Sequence, residues 1–113
     1  HQYLVGQDPA VSLIAKSLGK RGVIICPPGI IGDENKRSGW KKYKEDFELH
    51  DWEIRACGLE NLERTLELIK ENKEYEVIIV DEVHRFRNQD TEAYEVLSNI
   101  CRDRIVILLS ATP

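Results

Sequence analysis

Val77-Ile78-Ile79-Val80-Asp81-Glu82-Val83-His84 constrains this chain more than any other stretch. Four consecutive β-branched residues suit a strand buried on both faces, as in parallel sheets covered by helices. The ligand crevice of such a sheet lies just past the carboxyl ends of its strands. Here that end receives two adjacent carboxylates, with a histidine two residues further on. Acids there are costly to hold unless they meet a cation or do chemistry.

The rest of the chain alternates strand and helix, the pattern of a parallel α/β sheet. Tyr3 to Gly6 reads as a short strand, and Ala10 to Leu18 as a helix with Val11, Ile14, Ala15 and Leu18 on one face and Gly19 as its stop. Val23 to Cys26 is a buried strand closed by Pro27-Pro28-Gly29, because proline cannot donate to a ladder. Gly32 to Ser38 is polar and reads as a loop. Trp40 to Leu49 reads as a helix with Trp40, Tyr43 and Phe47 three or four residues apart. Trp52 to Cys57 alternates as a strand should, with Trp52, Ile54 and Ala56 set against Glu53 and Arg55. Leu59 to Glu71 is an amphipathic helix whose stripe is Leu59, Leu62, Leu66 and Ile69. A polar loop should follow Val80, after which Asp90 can cap a helix carrying Ala93, Val96, Leu97 and Ile100. Ile105 to Leu109 is the last strand, ending in Ser110-Ala111-Thr112.

Composition narrows the class. The 113 residues, 42% of them hydrophobic, suffice for one domain with a modest core. A net charge of −4 lacks the cationic excess of a strongly basic nucleic-acid binder, so any contact with DNA must be local. Cys26, Cys57 and Cys101 are odd in number and include no Cys-x-x-Cys pair, which argues against a disulfide framework or a zinc site and for a reducing, intracellular setting. That setting would be cytoplasmic in a prokaryote and nuclear in a eukaryote. No apolar run is long enough to cross a membrane. The chain has no methionine, opens abruptly at His1 and stops just past an apolar run, so both ends read as cuts through a longer protein.

Four of the expected strands end in small, polar or acidic residues: Pro27-Pro28-Gly29, Cys57-Gly58, Asp81-Glu82 and Ser110-Ala111-Thr112. In a parallel sheet these ends share one edge and assemble a polar rim. Taken alone, Asp-Glu-x-His also fits a surface loop entering a helix. The buried strand before it and the Ser-Ala-Thr ending the next strand argue for motifs II and III of superfamily-two helicases and translocases.

Longer segments carry a closer resemblance. Asp81-Glu82-Val83-His84-Arg85-Phe86-Arg87-Asn88 resembles the Asp-Glu-Ala-His-Arg-(Leu/Phe)-(Lys/Arg)-Asn (DEAH-box) segment of Swi/Snf-type ATPases. Leu108 to Pro113 resembles their Leu-Leu-(Ser/Thr)-(Ala/Gly)-Thr-Pro, and Val23 to Gly29 followed by Trp40 resembles their motif Ia. The resemblance implies a RecA-like, P-loop NTPase type fold over residues 1–113, the first lobe of a motor whose partner is a second RecA-like lobe of the same full-length chain. It implies ATP and Mg²⁺ as cofactors and duplex DNA as partner, with hydrolysis driving movement along the duplex without strand separation. Asp81 would hold Mg²⁺ through water, and Glu82 would polarise the water that attacks the γ-phosphate. His84, Ser110 and Thr112 would relay nucleotide state to the DNA side. Pro28, Gly29 and Arg85 would meet DNA, and Cys57-Gly58 would occupy the motif Ib region.

One family element is missing. Gly-x-Gly-Lys-Thr should stand between the first strand and first helix, where backbone amides and a lysine cradle the phosphates. Here Gly6, Gln7, Asp8 and Pro9, the flank of that loop and the expected nucleotide side, run straight into Ala10. Either the protein has lost its phosphate loop, or a glycine-rich loop belongs between Pro9 and Ala10 that these residues do not include. The second explanation leaves both flanks in the family pattern.

Two alternatives stand beside the motor reading. A degenerate RecA-like module would bind DNA or a protein partner without ATPase activity, and its support is the gap after Pro9. A magnesium phosphohydrolase using Asp81 and Glu82 would leave the Ser-Ala-Thr strand end and the Pro-Pro-Gly turn unexplained. The dense basic group of Lys36, Arg37, Lys41, Lys42 and Lys44, interleaved with Trp40 and Tyr43, fits either phosphate contacts or a solvated helix face balanced by Glu45, Asp46 and Glu48.

Overall fold

The β-branched runs do form inner strands of a parallel sheet. The computed structural model describes residues 2–5, 10–88 and 91–110, and for residues 2–5, 10, 12, 13, 87 and 88 only the backbone. The expectations placed on Gly6, Gln7, Asp8, Pro9, Asp90, Ala111 and Thr112 lie outside the described residues. In chain order the elements are β1 (Gln2–Val5), α1 (Ala10–Leu18), β2 (Arg21–Cys26), α2 (Gly39–Asp46), β3 (Glu53–Ala56), α3 (Leu59–Glu71), β4 (Tyr75–Val80), α4 (Thr91–Cys101) and β5 (Ile105–Leu109). Short 3-10 segments at Pro28–Ile30 and Val83–Asn88 follow β2 and β4.

The five strands lie in the order β1-β5-β4-β2-β3, and every pairing is parallel. Alternation explains why Val23 to Cys26 of β2 and Val77 to Val80 of β4 are apolar at every step. Val23, Ile25, Ile78 and Val80 face one core, with Leu62 and Ile69 of α3 and Ala93, Leu97 and Ile100 of α4. Ile24, Cys26, Val77 and Ile79 face the other, with Val11 and Ala15 of α1 and Trp40 of α2. The result is a three-layer α/β domain of RecA-like type, as expected from the sequence. Ile24, Ile25, Ile78 and Ile79 are fully buried, and each such side chain contributes about 1.5–3 kcal/mol. No helix among the described residues is long and apolar enough to cross a membrane.

Several boundaries differ from expectation for identifiable reasons. Helix α2 ends at Asp46 rather than Leu49, because Glu48 takes φ +54° and turns the chain so that Leu49 and Trp52 enter the core. Trp52 precedes β3 rather than starting it, and its ring packs over Gly22, where an added Cβ would meet it at 2.5 Å. Strands β2 and β4 each begin two residues earlier than the apolar runs, Tyr75 being buried by the same core. The expected loop after β4 is a 3-10 segment, held to the core by buried Phe86. Thr65 joins the buried stripe of α3 by bonding its hydroxyl to the Asn61 carbonyl 2.8 Å away.

Candidate active site

Register places the strand ends level with one another. Ile25 pairs with Val80, Val80 with Leu108, Cys26 with Ala56, and Val5 with Leu109. The residues that follow (Pro27, Cys57, Asp81 and Ser110) therefore share one edge of the sheet.

Asp81 continues the β4 line by one more bond, its amide donating to the Ile25 carbonyl at 2.8 Å. Asp81 is only 4% exposed. The indole Nε1 of Trp40 donates to Oδ2 at 2.8 Å, and the Glu82 amide donates to Oδ1 at 2.8 Å. The second bond turns the chain, for Glu82 adopts φ +54°, an uncommon conformation for a residue with a side chain. That turn separates the two carboxylates. Asp81 is held inward, while Glu82 is half-buried with Oε2 3.0 Å from Arg85 Nε.

His84 stands in the 3-10 segment after β4, and its Nδ1 lies 3.5 Å from Ser110 Oγ at the end of β5. The structure thus brings Asp81, Glu82, His84, Arg85 and Ser110 together. Thr112 and the Gly6–Pro9 flank lie outside the described residues. Pro28 and Gly29 are exposed in the turn after β2, on the same edge. Cys57 is buried there and Gly58 opens α3, its carbonyl accepting from the Leu62 amide at 2.9 Å. Two of the five basic residues are paired with acids: Lys36 with Glu45 at 3.3 Å and Lys42 with Asp46 at 2.6 Å. Those pairs match the solvated-face alternative.

Trp40 is the residue whose part sequence reasoning missed. It served there as a family marker in a helix, and nothing in its neighbourhood announces a bond to a residue 41 positions away. Cys26 is also drawn into the site's field. Burial pushes its thiol up to about 12, and the Asp81 carboxylate and then Cys57 add to the shift.

Two surface grooves of about 870 and 890 Å³ lie at the opposite edge of the sheet, lined by residues such as Arg21, Glu74, Glu76 and Arg104. Their walls are tied by ion pairs, Arg21–Glu74 at 2.6 Å and Lys20–Glu76 at 3.3 Å. The chemistry-bearing groups are elsewhere.

The donor set at Asp81 suits magnesium. Among the described residues no cluster of three or more His, Cys, Asp or Glu forms a ready cage. Mg²⁺ is ordinarily held by one or two carboxylates, its waters and substrate phosphates, so a single anchored aspartate fits it.

A family model described as "Type III restriction enzyme, res subunit" matches residues 27–113. No curated protein matches the chain. The family match begins at the turn closing β2 and takes in every strand end of the polar rim. With more than half of its length covered, the chain belongs to the type III restriction enzyme res-subunit family, whose domain is a helicase-like superfamily-two ATPase module.

Proposed function

We propose that this domain is the first motor lobe of a DNA-dependent ATPase of Swi/Snf-like type, coupling ATP hydrolysis to movement along duplex DNA. The observation that carries the reading is the meeting at one sheet edge of Asp81, Glu82, His84 and Ser110, with Ser110 Oγ 3.5 Å from His84 Nδ1. The motif segments around these residues support the Swi/Snf-like assignment within the wider superfamily.

Asp81, fixed by the Trp40 indole and the Glu82 amide, would hold Mg²⁺, which would supply positive charge to offset that of the nucleotide phosphates. Glu82 would accept a hydrogen bond from the attacking water and set it in line with the leaving group. Ser110 and His84 join the ends of β5 and β4, so a shift at either strand end reaches the other. Arg85 and the Pro28-Gly29 turn would face the phosphodiester backbone, where contacts set register rather than sequence. The phosphate cradle would come from a loop following Pro9, and the remaining positive charge from a second lobe.

The test is ATP turnover with and without duplex DNA. A protein carrying both lobes and the phosphate loop should be stimulated by duplex, while this 113-residue domain by itself should turn over negligibly. Stimulated turnover by the isolated domain overturns the two-lobe assignment, and an unstimulated two-lobe protein overturns the DNA dependence. The alternative, a degenerate module without ATPase activity, rests on the direct run from Pro9 into Ala10. Duplex binding by a complete protein that takes up no nucleotide would favour it.

A further inference from the structure

We propose that Trp40 is the positioning residue of the Asp81 carboxylate and that, through Trp40, the turn after β2 is mechanically joined to the metal-holding edge. The proposal rests on reading Asp81 as the group that holds Mg²⁺.

Trp40 and Asp81 are both 4% exposed, and the bond between them is buried and joins two different elements, α2 and the end of β4. Indole Nε1–H is a donor only, so it can saturate one acceptor without competing for a cation. Hydrogen bonds to an ionised acceptor are also shorter and stronger than neutral ones, in keeping with the 2.8 Å separation. The indole is itself fixed. It packs with Ile24, Cys26 and Leu109 against the sheet, and Tyr43 meets it edge-on at 5.8 Å and 74°. A Phe there would fill most of the space and lack the donor.

The path back to the turn is short and rigid. Gly39 precedes Trp40 with φ +63°, and an added Cβ would fall 2.5 Å from the Ile30 carbonyl oxygen. Gly32 takes φ +109°, and its Cβ would fall 2.2 Å from the Ser38 carbonyl oxygen. The Lys41 amide donates to the Ile31 carbonyl at 2.9 Å. The start of α2 is therefore cinched onto the segment that follows exposed Pro28 and Gly29. Displacing that turn must displace Trp40, and with it the Asp81 carboxylate.

The chain contains two tryptophans, which makes a direct test available. Trp52, 3% exposed, belongs to the same apolar cluster as Trp40 but packs over Gly22 at the start of β2. Two indole N–H resonances are expected in a heteronuclear NMR spectrum, assigned with Trp52→Phe. Titration with Mg²⁺ alone should move the Trp40 indole and the Glu82 amide together, leave the Trp52 indole in place, and do neither in Asp81→Asn. Read from the Glu82 amide, Trp40→Phe should weaken Mg²⁺ binding about 10- to 100-fold, whereas Trp52→Phe should not.

A Glu82 amide that moves while the Trp40 indole stays fixed, or wild-type Mg²⁺ affinity in Trp40→Phe, overturns the proposal and leaves the reading of Asp81 intact. No response near Asp81 at any Mg²⁺ concentration removes both. A merely structural role for Trp40 would make the two Phe variants behave alike, which also overturns it. Should Trp40→Phe fail to fold, the wild-type titration decides by itself, because the two indoles report separately.

Discussion

The guanidinium of Arg85 stands 3.0 Å from the carboxylate of Glu82, three residues earlier, where the Glu82 carbonyl also accepts from the Arg85 amide at 2.9 Å. Arg85 is 53% exposed in this pair and Glu82 21%. A pair so open to water contributes about 0–1 kcal/mol. A phosphodiester can therefore draw Arg85 away at little cost, and doing so would leave Glu82 to its water. The residue proposed to meet DNA and the residue proposed to orient the nucleophile thus constrain each other in the absence of DNA.

Arg85→Ala should act on both. In a two-lobe protein, duplex affinity should fall uniformly across sequences, and the slope of log affinity against log salt should shrink by about one. DNA-free turnover should rise relative to wild type, so the stimulation by DNA falls. Salt-titrated binding together with ATPase assays reads all three. Unchanged salt dependence removes Arg85 from the DNA contact.

Glu82→Gln keeps the volume and removes the charge. Turnover in the same protein should drop about 10²–10⁴-fold, with nucleotide binding retained, because Asp81 and not Glu82 is the anchored carboxylate. Turnover within a few-fold of wild type assigns the water to another group.

Gly39→Ala should destabilise the domain by about 1–3 kcal/mol, since φ is +63° and the new Cβ would press on the Ile30 carbonyl oxygen. Gly29→Ala is the control, because nothing lies within 4 Å of a Cβ built there. Urea denaturation of the two variants reads the difference. Equal midpoints would show that the loop relaxes freely.

Alkaline pH should loosen the fold through its buried thiols. Cys26 is raised from 9.0 to about 12, by burial first, and Cys101 from 9.0 to about 11. Above 9.0 the unfolded chain sheds these protons while the folded chain keeps them, so the unfolded state binds fewer protons and stability falls as pH rises towards the folded values. Below 9.0 the contribution is fully present. Denaturation midpoints across this range should decline less steeply in Cys26→Ala than in wild type. Parallel slopes would place the alkaline loss on other groups.

Much of the fold was legible because its cues are local. Val77 to Val80 read as a strand from β-branching, Val23 to Cys26 from its apolar run closed by Pro27-Pro28-Gly29, and Leu59 to Glu71 as a helix from its spacing, matching α3 at both ends. The boundary errors fall where tertiary packing overrides local pattern, as at Glu48, where the backbone turns to bury Leu49. The rim was legible too, since parallel strands must present their carboxyl ends together. Its internal bonds were not. Pairing Asp81 with Trp40 requires α2 to lie on one particular face of the sheet, and the sequence offers two.

By itself the sequence determined that the chain builds a parallel α/β sheet and delivers Asp81, Glu82 and Ser110 to one edge, because strand propensity and helix periodicity depend on near neighbours. The tertiary structure alone decided which carboxylate is anchored and which is turned towards Arg85. Those choices follow from strand order, from the side of the sheet on which α2 packs, and from a single positive φ at Glu82. Strand order and the packing side of α2 are long-range geometry, and the backbone turn at Glu82, though local, is not announced by its residue type.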